Sequence, residues 1–152
     1  MANAKTKEAL YGLCCDFIDD RFKTIQKTIS EIQESLTSET KSSAGDKHET
    51  GRAMLQLERE KAGNQWSEIQ KTKEILDKVN VGKVSKQIGL GSVVYTSQAN
   101  YFIAISAGVL KVEQDHFYAI SSNTPIGKLL MGHTVNDVIT FRDQNFTITG
   151  VF

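Results

Sequence analysis

A chain of 152 residues makes one domain or two small ones. Lys plus Arg and Asp plus Glu each number 18, so the formal net charge is zero, which argues against a protein whose main job is coating nucleic acid through bulk positive charge. A hydrophobic content of 39% with 11 glycines is ordinary for a folded soluble protein, and no apolar run approaches the roughly 18 residues of a transmembrane helix.

The first residues, Met1 to Glu8, lack the apolar core of a secretory signal. The only cysteines, Cys14 and Cys15, are adjacent. Neighbouring cysteines rarely bridge each other, so a reducing, cytoplasmic location is expected. The length is also short for most multi-step metabolic enzymes.

Charge is uneven along the chain. Residues 1–80 carry 13 Lys/Arg and 14 Asp/Glu, whereas residues 81–152 carry 5 and 4. Strand-like residues gather in the second part, as does the only proline, Pro125. Two regions of different architecture are therefore expected, 1–80 and 81–152, with a boundary near Asn80-Val81-Gly82.

The first region reads as helical. Ile18, Phe22, Ile25, Ile29, Ile32 and Leu36 recur at spacings of 4 and 3. Tyr11 and Cys14 extend the stripe backwards, with Leu10 and Phe17 beside it. This is a heptad seam with polar residues on the other faces. The stripe stops at Leu36, and the polar run 37–45 predicts a turn. A second helix is predicted from about Asp46 to Val79, with a seam of Leu55, Ala62, Trp66, Ile69, Leu76 and Val79, weakened at Arg59 and Lys73. Two such helices joined by a polar turn should pack antiparallel as a coiled-coil hairpin. A helix of about 34 residues is roughly 50 Å long at about 1.5 Å per residue, so the expectation is a rod with a polar, acidic tip near 44–50.

The second region reads as β. Segments 93–95, 101–105, 109–112, 116–120, 138–141 and 146–149 are rich in β-branched and aromatic residues. The turn residues between them predict antiparallel strands. One interruption, residues 122–132, predicts a short helix. Thr124 would cap it, Pro125 would open its first turn, Ile126, Leu129 and Leu130 would form one face, and Gly132 would end it. The fold class is thus α+β, a helical hairpin followed by an antiparallel sheet covered by one short helix.

Most candidate reactive groups lack a constellation. Cys14 lies on the apolar stripe and reads as a core thiol, because a nucleophile needs a base and a lowered pKa. His48, His116 and His133 show no metal-ligand spacing. Gly89-Leu90-Gly91 lacks the preceding strand and following Lys-Ser/Thr of a phosphate loop. Asp46 and Glu49 are different. Three apart at the start of the second helix, they share a face at the tip. Asp46 can cap that helix, with Glu49 completing a capping-box-like arrangement. Two carboxylates on an exposed tip can also help hold a divalent cation when another site supplies the rest of its shell, although two alone would bind Mg²⁺ weakly.

The tip sequence Ala44-Gly45-Asp46-Lys47-His48-Glu49-Thr50 resembles the Gly-Asp-Leu-(Ser/Lys)-Glu-Asn motif of the bacterial Gre transcript-cleavage factors, with Asp46 and Glu49 on the two acidic positions. Residues 122–138, Ser-Asn-Thr-Pro-Ile-Gly-Lys-Leu-Leu-Met-Gly-His-Thr-Val-Asn-Asp-Val, resemble that family's C-terminal signature Ser-Pro-(Ile/Leu)-(Ala/Gly)-x-Ala-Leu-(Leu/Ile)-Gly-(Lys/His)-x-x-Gly-Asp-x-Val. The two matches occur in the family's order and span most of the chain.

The resemblance implies a coiled coil followed by an FKBP-like domain. It implies an elongation factor, not itself an enzyme, that docks on RNA polymerase and enters its secondary channel. There the acidic tip helps the polymerase position a second Mg²⁺ and a water to cleave backtracked RNA, as in two-metal catalysis. On this reading Asp46 and Glu49 assist the shared metal and water, with no ion bound tightly by the chain alone. Lys47, His48 and Arg52 lie near RNA or polymerase, or are merely solvated. The partners implied are RNA polymerase and nascent RNA, without membrane or sequence-specific DNA contact, and with the protein a monomer.

The tip departs from the motif at Thr50 in place of Asn, at Arg52-Ala53 in place of Glu-Tyr, and at Ser42-Ser43 where an Arg is usual. The signature departs at Thr124 in place of Ser and Asn136 in place of Gly. The tip changes bear on cleavage more than on docking, so a channel binder that regulates or inhibits without cleavage is the alternative. A proline isomerase would need a cleft lined by Phe102, Phe117, Tyr118 and Phe141, and alternating strand aromatics usually face a core.

Overall fold

The computed structural model describes residues 3–41 and 45–152, and the side chains of 3–38 and 50–152. Two long helices, α1 (Ala4–Lys41) and α2 (Gly45–Asp77), precede six strands and a short helix. The chain divides into two compact units. One is continuous, Ile18–Lys73. The other joins Met1–Phe17 to Glu74–Phe152.

Asn3 caps α1, its Oδ1 accepting a hydrogen bond from the Thr6 N–H at 3.0 Å, one of the orphan donors a helix start leaves. In the unit Ile18–Lys73, seam positions of the two helices meet in antiparallel order. The Phe22 and Trp66 rings lie 4.7 Å apart. Ile32, Leu36 and Ala62 form a buried cluster flanked by Ile29 and Leu55. As the α1 numbers rise the α2 numbers fall, which defines the hairpin. Ile18, Ile25 and Ile69 are buried as the stripe requires. Helix α2 ends at Asp77, short of the predicted Val79. Val79 sits instead in a turn, its N–H donating to the Leu76 carbonyl at 3.0 Å.

The other unit contains one six-stranded sheet. Its strands are β1 (Val93–Thr96), β2 (Asn100–Ile103), β3 (Gly108–Val112), β4 (Asp115–Ile120), β5 (Val138–Phe141) and β6 (Gln144–Val151), in the order β3-β4-β2-β1-β6-β5. The β5–β6 turn has positive φ at both Arg142 (52°) and Asp143 (63°), as a type I′ hairpin turn requires. Four of the strand pairings are antiparallel, whereas β2 and β4 run parallel, with Phe102 opposite Ala119. The parallel pairing follows from topology. The chain leaves β2, forms the β3–β4 hairpin, and places its second arm against β2.

The core of the sheet is Ile88, Val94, Ile103, Leu130, Ile139, Phe146 and Ile148. Phe102 and Phe117 are also fully buried. Helix α3 (Pro125–Leu130) covers part of this core. Its N-cap is Thr124, whose Oγ1 accepts the Gly127 N–H at 3.1 Å. Ile126 and Leu130 face the core, but Leu129, expected on that face, is 39% exposed. In a helix Leu129 is turned about 100° from Leu130, and six residues are too few to bury both flanks. No helix among the described residues is long and apolar enough to cross a membrane.

Candidate functional site

The turn of the hairpin is the first candidate. The apolar pairing of α1 with α2 continues to Leu36 and Leu55, and the residues that join the two helices lie between these positions in the chain. Asp46, Lys47, His48 and Glu49 belong to the start of α2 by sequence position, but their side chains lie outside the described residues. Arg52, one turn on, is half-buried, and Thr50 is exposed. Among the described residues no group of three or more His, Cys, Asp or Glu is arranged to hold a metal ion.

The segment 122–138 that carries the second motif is occupied by backbone geometry. Thr124 Oγ1 donates to the Ser121 carbonyl at 2.7 Å while accepting from Gly127. Gly127 is buried against Ser121, Ser122 and Thr124, leaving no room for a Cβ. Gly132 has φ +82°, and its N–H donates to the Ile88 carbonyl at 2.8 Å. Asn136, which stands where the motif has glycine, has φ +77°. This is the left-handed region that Gly occupies freely and Asn tolerates better than most residues. Asp137 accepts the Thr134 N–H at 3.0 Å and faces His133 Nδ1 at 2.9 Å. Those two contacts, the backbone bond first, hold its carboxyl below the usual carboxylate range. The motif residues thus fold a loop and cap a helix, which explains their spacing without a catalytic role.

The remaining candidates resolve individually. Cys14 is buried on α1, and burial together with the Cys15 charge pushes its thiol up to about 12, the opposite of an activated nucleophile. His116 is exposed on β4. Phe102 and Phe117 are fully buried, so neither lines an open isomerase cleft, while Tyr118 is exposed and rests 6.0 Å from the Tyr101 ring. Gly89 to Ser92 is a tight turn. The Ser92 N–H donates to the Gly89 carbonyl at 3.0 Å, and the Gly89 N–H donates to Ser92 Oγ at 2.9 Å.

That turn lines a cavity of about 380 Å³ together with Lys7, Lys78, Asn80, Lys83, Ser85 and Leu90. Lys7 is 4% exposed, and its ammonium donates to the Lys83 carbonyl at 2.7 Å. Burial lowers its pKa below the ordinary lysine value. Sequence reasoning missed this residue. The available signal was its position, because Lys7, Tyr11, Cys14 and Ile18 continue the 4-3-4 spacing of the seam. A lysine on an apolar stripe is either buried or the end of the stripe.

No family model and no curated protein matches the chain. Among solved structures, one described as the transcription factor Gfh1 is 22% identical over 94% of this chain and 93% of that one, with a TM-score of 0.36. A second, described as GreA factor homolog 1 (Gfh1) of Thermus thermophilus, is 19% identical over 93% of this chain and 94% of that one, with a TM-score of 0.34. At these scores the likeness establishes neither family nor activity.

Proposed function

We propose that the chain is a Gre-type transcription elongation factor, which enters the secondary channel of RNA polymerase and stimulates the polymerase's own cleavage of backtracked RNA. One observation carries the reading. The segment resembling the acidic Gre tip falls between two long helices that pair in antiparallel order and at the start of the second. A sheet-bearing segment with the second motif follows it in the expected order.

On this reading the hairpin is a probe. The stretch of α1 from Ile18 to Lys41 is about 36 Å long at about 1.5 Å per residue. The tip carboxylates of Asp46 and Glu49 would contribute oxygen ligands and orient a water, acting only within the polymerase complex. Two oxygen donors leave most of the six-oxygen shell of Mg²⁺ to be supplied elsewhere, so the chain alone would hold the ion weakly. The bound ion supplies charge stabilisation and a more acidic water. Lys47, His48 and Arg52 would lie near RNA or the channel wall. The factor itself would be no enzyme, and would act as a monomer in the cytoplasm.

A second reading, a channel binder that regulates or inhibits without cleavage, is favoured by Thr50, Arg52-Ala53 and Ser42-Ser43, where this tip departs from the motif. The two readings separate in a stalled, backtracked elongation complex incubated with and without the protein. Mg²⁺-dependent shortening of the RNA, lost in Asp46→Ala plus Glu49→Ala while polymerase binding persists, supports the cleavage reading. Slowed elongation without shortening supports the inhibitor. Cleavage unchanged in the double variant excludes the role given to the acidic pair, and no binding to polymerase excludes both readings.

A further inference from the structure

We propose that the cavity bounded by the start of α1 and the segment 78–92 is a binding site for the phosphate group of a small phosphorylated molecule. The reason is an imbalance of donors. Three lysines, Lys7, Lys78 and Lys83, line it, and no Asp or Glu among the described residues does. Lys7 is 4% exposed and donates one hydrogen bond, to the Lys83 carbonyl. An ammonium carries three donors, and the other two find no acceptor among the described residues. Ser92 repeats the pattern. It is 4% exposed, and its Oγ accepts from Gly89, while its hydroxyl proton has no acceptor among the described residues. Two buried side chains from distant parts of the sequence, each with a donor left over, therefore line one space.

A buried charge without a counter-charge is costly, and the usual remedies are a partner ion or loss of the proton. The lowered pKa of Lys7 expresses that cost. An oxyanion seated beside it would supply both the missing charge and the missing acceptors. Phosphate fits better than a carboxylate, because a dianion matches several ammonium groups and offers three oxygens to separate donors. The cavity, about 380 Å³, lies in the size range of small-molecule pockets, about 300–1,000 Å³. That leaves room for more than one phosphate, or for a phosphate with an organic substituent. Lys78 and Lys83 are exposed, so they draw an anion in and hold its outer oxygens.

The test is calorimetric titration of the full chain at low ionic strength with inorganic pyrophosphate, with a magnesium-free nucleoside triphosphate, and with acetate. The expected result is saturable one-to-one binding of the first two and none of acetate. Equal affinities mean that phosphate alone is read, and tighter nucleotide binding means that the cavity also takes the organic part. Lys7→Met, which keeps the length but removes the charge, should weaken binding by about 10–100-fold, as expected for a lost charge-assisted hydrogen bond. Lys111→Gln, an exposed lysine on β3 outside the cavity, should change nothing. If Lys7→Met fails to fold, Ser92→Ala combined with Lys83→Gln supplies the same comparison. Absence of saturable binding up to several millimolar, on the weak edge of the affinity scale, overturns the proposal. So does tight binding of acetate, or affinity that falls no further in the cavity variants than in Lys111→Gln.

Discussion

Gly127→Ala tests the α3 cap by adding a single methyl group. The new Cβ would overlap the Ser121 carbonyl oxygen and come within 2.8 Å of Thr124 Oγ1 and 3.1 Å of Ser122 Cα. Two of these atoms belong to backbone, and the third is committed at 2.7 Å to Ser121 and at 3.1 Å to the Gly127 N–H, so none moves freely. Overpacking of this kind costs about 1–3 kcal/mol, and disruption of the Thr124 cap about 1 kcal/mol. Alanine's better helix propensity returns about 1 kcal/mol. The net loss is about 2 kcal/mol. For a chain of this size that corresponds to a fall in Tm of about 4–8 °C. Urea denaturation followed by circular dichroism measures it, with Thr124→Ala, which loses only the cap, as the milder comparison. A Gly127→Ala protein as stable as the parent would refute the steric reasoning and would mean that the 121–127 turn relaxes at little cost.

Two further outcomes follow from the geometry. Phe22→Ala removes the ring packed 4.7 Å from the protein's sole tryptophan. It should weaken the hairpin by about 3 kcal/mol and shift Trp66 emission to the red, and unchanged emission would show that the two rings do not shield each other. Asp137 has a folded pKa below its unfolded value, so its contribution is present above the unfolded carboxylate pKa, about 4, and is lost as pH falls through the folded value. Asp137→Asn should therefore reduce stability at neutral pH and converge on the parent in strong acid. A parent–variant gap that is the same at neutral and acid pH would assign the effect to something other than the carboxylate.

The elements were legible where periodicity is local. The 4-3 spacing from Ile18 to Leu36 marks α1, and clusters of β-branched and aromatic residues between turn residues mark the strands. Thr124-Pro125 and Gly132 mark α3 through backbone rules alone. Pairing across the sheet was not written locally. Nothing in Asn100–Ile103 or Asp115–Ile120 states that these strands run parallel, since that depends on where the β3–β4 hairpin lands. Ile88 belongs to the core although it lies in no strand, held there by hydrogen bonds with Gly132 and His133. The acidic motif at 44–50 could be read because its residues are consecutive, and its side chains lie outside the described residues. The lysine cavity was not, because Lys7 and Ser92 meet only after the chain has folded.

The unit that holds the sheet is assembled from two pieces, with residues 18–73 inserted between them. Joining Phe17 to Glu74 through a disordered insert of that length would carry a closure entropy on the order of 3–4 kcal/mol. A hairpin that has already zipped through Phe22–Trp66 and Ile32–Ala62 holds the ends of the insert near each other and removes most of that penalty. The kinetic corollary is an order of events in which the helical arm forms first and the start of α1 then joins the unit that holds the sheet. Seam substitutions such as Phe22→Ala would accordingly slow the appearance of the sheet.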